Sequence, residues 1–294
     1  MNQVLPRLAQ KIFNTPLAIH PRKAEIVLAA LSDRLGITQL VRANGSVVTP
    51  EMMEDDEYGF AEPGGNPRTG YDMVGPVAVI HVHGTLVQKL GTLRPWSGMT
   101  GYDGIRQNLC TALSDPKVEA VILDIDSPGG EVAGCFDLVD SIYAARGQKP
   151  IWAVLDESAY SAAYAIASAA DRIYVPRTGG VGSIGVIAAH VDFSQALTAA
   201  GIKVTFIQYG DYKADGHAEI PLSDEAHERF KADITTMGEL FVDTVARNRK
   251  ISAATVRDTQ AATFMGAKGA ALGLADEVAA PDAAFRALIR QIGA

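Results

Sequence analysis

The chain predicts an α/β domain with a largely parallel sheet. Short strand-like segments alternate with helical patterns at close spacing. A β-branched segment, Val118 to Ile125, runs straight into the turn sequence D-S-P-G-G, as a central strand feeding a tight connection would. A long 3.6-period helix, Ser223 to about Arg249, carries Ala226, Phe230, Ile234, Met237, Phe241 and Val245 on one face.

Taken in order, residues 1–43 read as a helical extension, mainly Pro21 to Leu35, where Ile26, Leu28, Ala29, Leu31 and Leu35 share an apolar face. Residues 44–75 change character: Glu51, Glu54, Asp55, Asp56 and Glu57 cluster ahead of Pro63, Gly64, Gly65, Asn66 and Pro67. This is the composition of a linker or arm. The main domain is placed at 76–280, with a C-terminal helix at 281–294.

Within the main domain the expected order is strand Val77–Val82, loop Gly84–Thr100, helix Tyr102–Leu113, strand Val118–Ile125 and helix Glu131–Ala145. Strand Ile151–Leu155 and a helix near Ser161 follow. Ile173–Val175 and Ile184–Val191 look strand-like, Phe193–Ala200 helical and Lys203–Gln208 strand-like. Short helices are expected at Ala253–Thr259, Gly266–Leu272 and Asp282–Ile292.

With 294 residues, 48% apolar and 20% charged, the chain has the composition of an ordinary globular protein with ample length for a core. A net charge of −8 argues against nucleic-acid binding, which needs a basic stripe. The two cysteines, Cys110 and Cys135, read as buried thiols of a reducing compartment. Neither the pattern of a secretory signal nor a run of about 18 apolar residues occurs, so a cytoplasmic protein without a membrane anchor is expected.

Three features sit at the carboxyl ends of expected strands, where open α/β domains usually place their sites. Ser127-Pro128-Gly129-Gly130 permits close backbone approach and offers N–H groups at an expected helix start, although a plain tight turn reads the same. Ser161 stands between strand Ile151–Leu155 and the block A-A-Y-A-I-A-S, where helix N–H groups could hold an oxyanion. Taken alone, capping by Ser158 or Ser161 is the simpler reading. Lys213 lies in the loop Y-G-D-Y-K-A-D-G, where a solvated surface charge is the ordinary expectation.

Together these pieces resemble a known family. The order S-P-G-G, a Ser in a small-residue helix, G-S-I-G-V and the lysine loop is similar to the signal peptide peptidase A family of serine proteases. Its phage branch of lambda-type capsid assembly proteases is the nearer resemblance. That likeness extends through G-T-L-V at Gly84–Val87, P-W-S-G-M-T-G-Y-D-G-I at Pro95–Ile105 and F-M-G-A-K-G-A-A-L-G-L-A-D-E-V at Phe264–Val278.

The resemblance implies the fold of the crotonase and Clp-protease superfamily, a spiral of ββα units. It makes Ser161 the nucleophile, Lys213 the general base, Ser183 the hydroxyl that orients the lysine, and Gly129 or Gly130 with Ala162 the oxyanion donors. It implies no cofactor and no metal. Protein substrates such as capsid, portal or scaffold proteins, a homo-oligomer, and a location in host cytoplasm or prohead also follow. A lysine acts as base only when neutral, so it must be desolvated; Tyr209, Tyr212 and the Ser161 helix are candidates to do this when the loop packs down. Losing one oxyanion donor costs about 3 kcal/mol of transition-state stabilisation, so the glycine pair matters.

The chain departs from the family pattern in having Ala162-Ala163 where Gly-Gly is usual, which narrows the substrate's approach. No membrane anchor is expected either, a further departure from the signal peptide peptidase pattern. The scaffold region that lambda-type proteins can carry would have to be a separate protein or missing.

Other readings are weaker. Gly180–Gly185 spells G-x-G-x-x-G but leads into a strand-like run, unlike a dinucleotide site. His81 and His83 alternate on one strand, yet no third metal ligand follows at a plausible spacing. His217 is the rival base, with His190 and with Asp192 or Asp215 as triad alternatives. Asp124 and Asp126 are explained by strand alternation and by charge at a helix start. Two rival functions are a crotonase-type acyl-CoA enzyme, using the S-P-G-G turn, and a non-catalytic capsid assembly factor. The 44–75 arm is also a candidate for self-cleavage.

Overall fold

A computed structural model describes residues 15–21, 23–24 and 69–293, together with the backbone of 40–41 and 47–48. Its strands are β1 (Leu17–Ile19), β2 (Leu40–Val41), β3 (Val47–Val48), β4 (Asp72–Val74), β5 (Val77–His83), β6 (Thr85–Val87), β7 (Met99–Gly101), β8 (Ala120–Ser127) and β9 (Gly129–Glu131). They continue with β10 (Ile151–Tyr160), β11 (Arg172–Val175), β12 (Gly180–Gly182), β13 (Thr263–Met265) and β14 (Glu277–Val278). The helices are α1 (Tyr102–Ser114), α2 (Cys135–Ala144), α3 (Ala162–Ser168), α4 (Ser194–Ala199), α5 (Asp224–Arg249), α6 (Ala253–Asp258), α7 (Gly266–Ala271) and α8 (Pro281–Ile292).

The expected α/β spiral is present. Each of the first two turns of the chain gives one strand to a large sheet, at least one to a small sheet, and then a helix. The sets are β5 with β6 and β7 before α1, and β8 with β9 before α2; β10 then leads directly into α3. The large sheet runs β13-β12-β10-β8-β5-β4, with β11 and β14 continuing from β10. Pairing is parallel except at β4–β5 and β12–β13. The small sheet is ordered β1-β9-β6-β7.

Strand alternation assigns the two faces of the large sheet. Ala78, Ile80 and Val82 of β5 and Val121, Leu123 and Ile125 of β8 enter the main core with α1, α2 and α3. Val77, Ala120, Ile122, Trp152, Val154 and Tyr174 face the other way and pack under Ala284 and Leu288 of α8, where the Trp152 and Tyr174 rings stack at 4.8 Å. Burial on both faces is why Val118–Ile125 is so nearly continuous in apolar residues.

Several boundaries differ from the sequence expectation. The 84–100 stretch read as a loop contains β6 and β7, strands too short for periodicity to reveal. Gly129–Glu131 forms β9, and the next helix begins only at Cys135 after the left-handed Gly134, so the glycine pair does not sit at a helix start. Leu17–Ile19, inside the stretch read as helical, is a strand on β9. The apolar face expected over Pro21–Leu35 and the acidic arm at 49–68 lie outside the described residues. Lys203–Gln208 joins no sheet, and Ile184–Val191 forms only bridges, including Ile187 to Leu17. Cys110 is exposed, contrary to expectation, because it falls on the outer side of α1; Cys135 is buried, which pushes its thiol up to about 12. Among the described residues no helix is long and apolar enough to cross a membrane.

Candidate active site

β10 is the strand that positions Ser161. Its first half pairs with β8 and β11. A bulge between Leu155 and Ala159, where two extra residues oppose β8, then redirects the second half alongside β12. The chain leaves β10 through Ser161 at φ 55° and ψ −120°, a conformation costly for a residue with a Cβ, and enters α3 at once.

Ser161 is fixed from both ends: its N–H donates to Gly182 O at 2.9 Å and its carbonyl accepts from Ala165 N at 2.9 Å. Its side chain makes no capping hydrogen bond to α3, so the plain N-cap reading does not describe it. Instead Oγ makes one long contact, donating to Gly185 O at 3.4 Å. Ser158 lies inside β10 rather than at a helix end.

α3 is rigid because every one of its residues is buried. Its alanines let it pack closely against β8, β9, β10, α2 and α5. Tyr164 donates its hydroxyl to Leu274 O at 2.9 Å, and burial raises that phenol's pKa. At the helix end Arg146 donates to the carbonyls of Ser168, Ala169 and Ala170 at 2.6 to 2.9 Å, which satisfies the free C-terminal carbonyls.

The S-P-G-G turn meets this serine. A Cβ on Gly129, which has φ 99°, would stand 2.9 Å from Ser161 Cβ and would collide with Ala18 O. Only glycine fits there. The Gly129 N–H donates to Ser127 Oγ at 3.2 Å, and that hydroxyl donates to Gly84 O at 2.6 Å. Gly130 is equally confined, since a Cβ would collide with Leu86 O. Ala162 is the first residue of α3 and is buried. Ser183 follows Gly182 directly, is buried at φ 55°, and donates its N–H to Ala262 O at 2.9 Å.

An extended segment of the chain itself lies along this turn. β1 pairs antiparallel with β9, Ile19 opposite Gly129 and Ala18 opposite Gly130, while Leu17 exchanges hydrogen bonds with Ile187 at 2.8 and 2.9 Å. His20 N donates to Pro128 O at 2.7 Å, and its ring rests 5.1 Å from that of Tyr160.

Lys213 is placed elsewhere in character. It is exposed on the turn at 211–216, and among the described residues no hydrogen bond or ion pair joins it to Ser161 or Ser183. Tyr209 is fully exposed, and Tyr212 lies under the Arg229 guanidinium at 4.0 Å, so neither encloses the amine. The rival base His217 is half exposed, with its ring 4.4 Å from Phe206 and Nδ1 3.4 Å from Glu219. Asp215 is engaged by Arg229, and Asp192 accepts from Ser194 N at 2.7 Å.

The structure also brings together a group that sequence spacing could not find. His81 Nδ1 and His83 Nε2 lie 2.7 and 3.0 Å from Asp124 Oδ2, on neighbouring parallel strands. Burial pulls the Asp124 carboxyl up, but hydrogen bonds from both imidazoles outweigh it and hold the group well below the usual carboxylate range. The only available signal was the alternation of the two histidines; the third member stands about 40 residues away along the chain.

The decisive comparison is with families of known proteins: the model of Peptidase family S49 matches residues 144–293, half of the chain and including Ser161, Ser183 and Lys213. This chain belongs to peptidase family S49. Among the relatives of this S49 chain, the head-tail preconnector protein GP5 of Enterobacteria phage P21 is 41% identical over 281 residues, covering 95% of this chain and 56% of the relative. Capsid assembly protease C of Escherichia phage lambda is 37% identical over 276 residues, covering 93% of this chain and 63% of that protein. Protease 4 of Haemophilus influenzae is 25% identical over 237 residues, covering 80% of this chain and 37% of the relative. The S49 chain therefore spans between half and two thirds of the length of its two phage relatives. Among solved structures, a point mutant of ClpP1 from Listeria monocytogenes matches with a TM-score of 0.43 and 13% identity, over 68% of this chain and 90% of that one.

Proposed function

We propose that this chain is a serine endopeptidase working through an acyl-enzyme at Ser161. The observation that carries the reading is the strained strand-to-helix turn at Ser161, buried against a glycine turn that admits no side chain. Such a turn presents a hydroxyl at a helix N-terminus, where N–H groups can hold a developing oxyanion. The β1 segment adds support, because it demonstrates that the edge of β9 beside Ser161 accepts extended polypeptide backbone.

In the proposed reaction Ser161 Oγ attacks a substrate carbonyl carbon as its proton passes to Lys213 Nζ. Gly129 or Gly130 and Ala162 contribute N–H groups to the oxyanion, and the Gly129 N–H must first leave Ser127 Oγ. The amine product leaves with the proton carried by Lys213, and water then frees the acyl group. Ser183, one residue from the Gly182 carbonyl that anchors Ser161, orients the amine.

An exposed ammonium is no base, so Lys213 requires its segment to be covered. Folding of that segment over its own Ser161, or contact with a second copy in a homo-oligomer, would do this; Ile207 and Tyr209, both 100% exposed, are the surface such contact would bury. The name of the lambda relative, capsid assembly protease C, supports capsid proteins as substrates, and portal or scaffold proteins, in host cytoplasm or the prohead, are the wider set the family resemblance implies.

Incubation with a fluorophosphonate, followed by peptide mapping, tests the site. Labelling at Ser161 that is lost in Lys213→Ala is expected, and mixing Ser161→Ala with Lys213→Ala copies tells whether the two groups come from one copy or two. Equal processing of a capsid protein by wild type and Ser161→Ala would overturn the reading in favour of an assembly factor, and CoA binding at the glycine turn would point to acyl-CoA chemistry.

A further inference from the structure

On the face of the large sheet opposite α3, the rows Val77–Val79 of β5 and Ala120–Ile122 of β8 are covered by α8. Beyond its cover the same rows change from apolar to His81 and His83 on β5 and Asp124 on β8, with His81 opposite Asp124 and His83 opposite Asp126 in register. Alternation sends all of these side chains to one side, away from Ser161 and its helix. Each of His81, His83 and Asp124 offers one donor atom that lies within 4.8 Å of those of the other two.

We infer that His81, His83 and Asp124 form a binding site for one divalent transition-metal ion of the zinc class. Ligands about 2.0–2.1 Å from a tetrahedral ion stand roughly 3.3 Å apart, so the present 2.7 and 3.0 Å separations need open by only a few tenths of an ångström. Two imidazoles and one carboxylate suit zinc, cobalt, nickel or copper rather than magnesium or calcium, which prefer oxygen ligands throughout. The side chains are 24, 38 and 25% exposed, leaving a fourth position open to water.

The surroundings are organised as a metal site's would be. His81 Nε2 lies 2.8 Å from Asp72 Oδ2, and Arg94 clamps that carboxylate with 2.6 and 3.3 Å hydrogen bonds. This fixes the ring so that Nδ1 faces Asp124 while Nε2–H is donated outward, the arrangement by which a carboxylate orients a ligating histidine. His83 is held through its backbone, which donates to Thr100 Oγ1 at 3.2 Å and accepts from the same hydroxyl at 2.6 Å. Asp126, the neighbouring acid on this face, is engaged by Ser158 N at 3.3 Å and is assigned no role as a ligand. Without an ion the cluster is an imidazole–carboxylate network; metal replaces the protons that bridge His81 and His83 to Asp124 and staples β5 to β8.

Titration of untagged, chelator-treated full chain with Co²⁺ and then Zn²⁺ tests this, read by the visible absorption of tetrahedral Co²⁺, by calorimetry and by melting temperature. One ion per chain, a tetrahedral cobalt spectrum lost on adding zinc, and a higher melting temperature with zinc are expected. His83→Ala should weaken binding by about tenfold or more, Asp124→Asn likewise, and Asp72→Asn by about tenfold through the lost orientation of His81. Asp126→Asn should bind as wild type. His83→Ala is the deciding variant, because His83 is the most exposed of the three and its loss leaves the His81–Asp124 contact intact, with folding checked by circular dichroism. Absence of stoichiometric binding by wild type, or equal binding by wild type and His83→Ala, would overturn the assignment.

Discussion

The residues around Ser161 and those around Lys213 contrast sharply. From Ala159 to Ala170 nearly every side chain is buried, and hydrogen bonds to the Gly182 and Leu274 carbonyls and from Ala165 N and Arg146 hold the backbone or its neighbours in place. From Gly185 to Ser223 the chain carries no paired strand, α4 buries no residue, and Ile202, Ile207, Tyr209 and Tyr212 face solvent. Even α5 divides in this way. Its C-terminal half places Phe241, Val242 and Val245 in the core, while Phe230, Ile234 and Met237, read as the same apolar face, are only partly buried. The nucleophile half of the proposed site is thus buried within the chain, whereas the residues around Lys213 are largely exposed.

Substitutions can break that contrast. The largest effect is expected at Gly129→Ala, where the new methyl meets Ala18 O and Ser161 Cβ; loss of fluorophosphonate labelling together with a lowered melting temperature is the outcome sought. Arg146→Ala removes a charged donor from three helix-end carbonyls and should cost about 3 kcal/mol in urea unfolding. Tyr164→Phe strands the Leu274 carbonyl and should cost about 1–2 kcal/mol by the same measurement.

On the other side of the comparison, Lys213→Ala and Ile207→Ser should shift unfolding by no more than about 0.5 kcal/mol, since both side chains are exposed. A larger shift measured on isolated monomer would mean that the segment packs on its own chain. The cysteines give the smallest signal: Cys110 should react with a thiol reagent in the native protein, while Cys135, buried and with its thiol pushed up to about 12, should react only on unfolding.

Much of this was legible in the sequence. Periodicity located α5, helical patterns marked α1 and α8, and the run Val118–Ile125 announced a central strand, because burial on one face or both leaves a local record in residue type. The S-P-G-G turn and Ser161 were visible too, since a glycine pair and a small-residue helix are needed wherever backbones approach closely. What the tertiary structure alone decided involves residues remote along the chain or partners absent from it. β6, β7 and β9 are three-residue strands fixed by their neighbours rather than by their own pattern. Lys203–Gln208 has the composition of a strand, yet it pairs with no strand among the described residues. The third member beside His81 and His83 comes from another strand, set opposite by parallel register, and no spacing rule within one segment can express that. Local sequence fixes which way a side chain faces; only the assembled sheet determines what stands across from it.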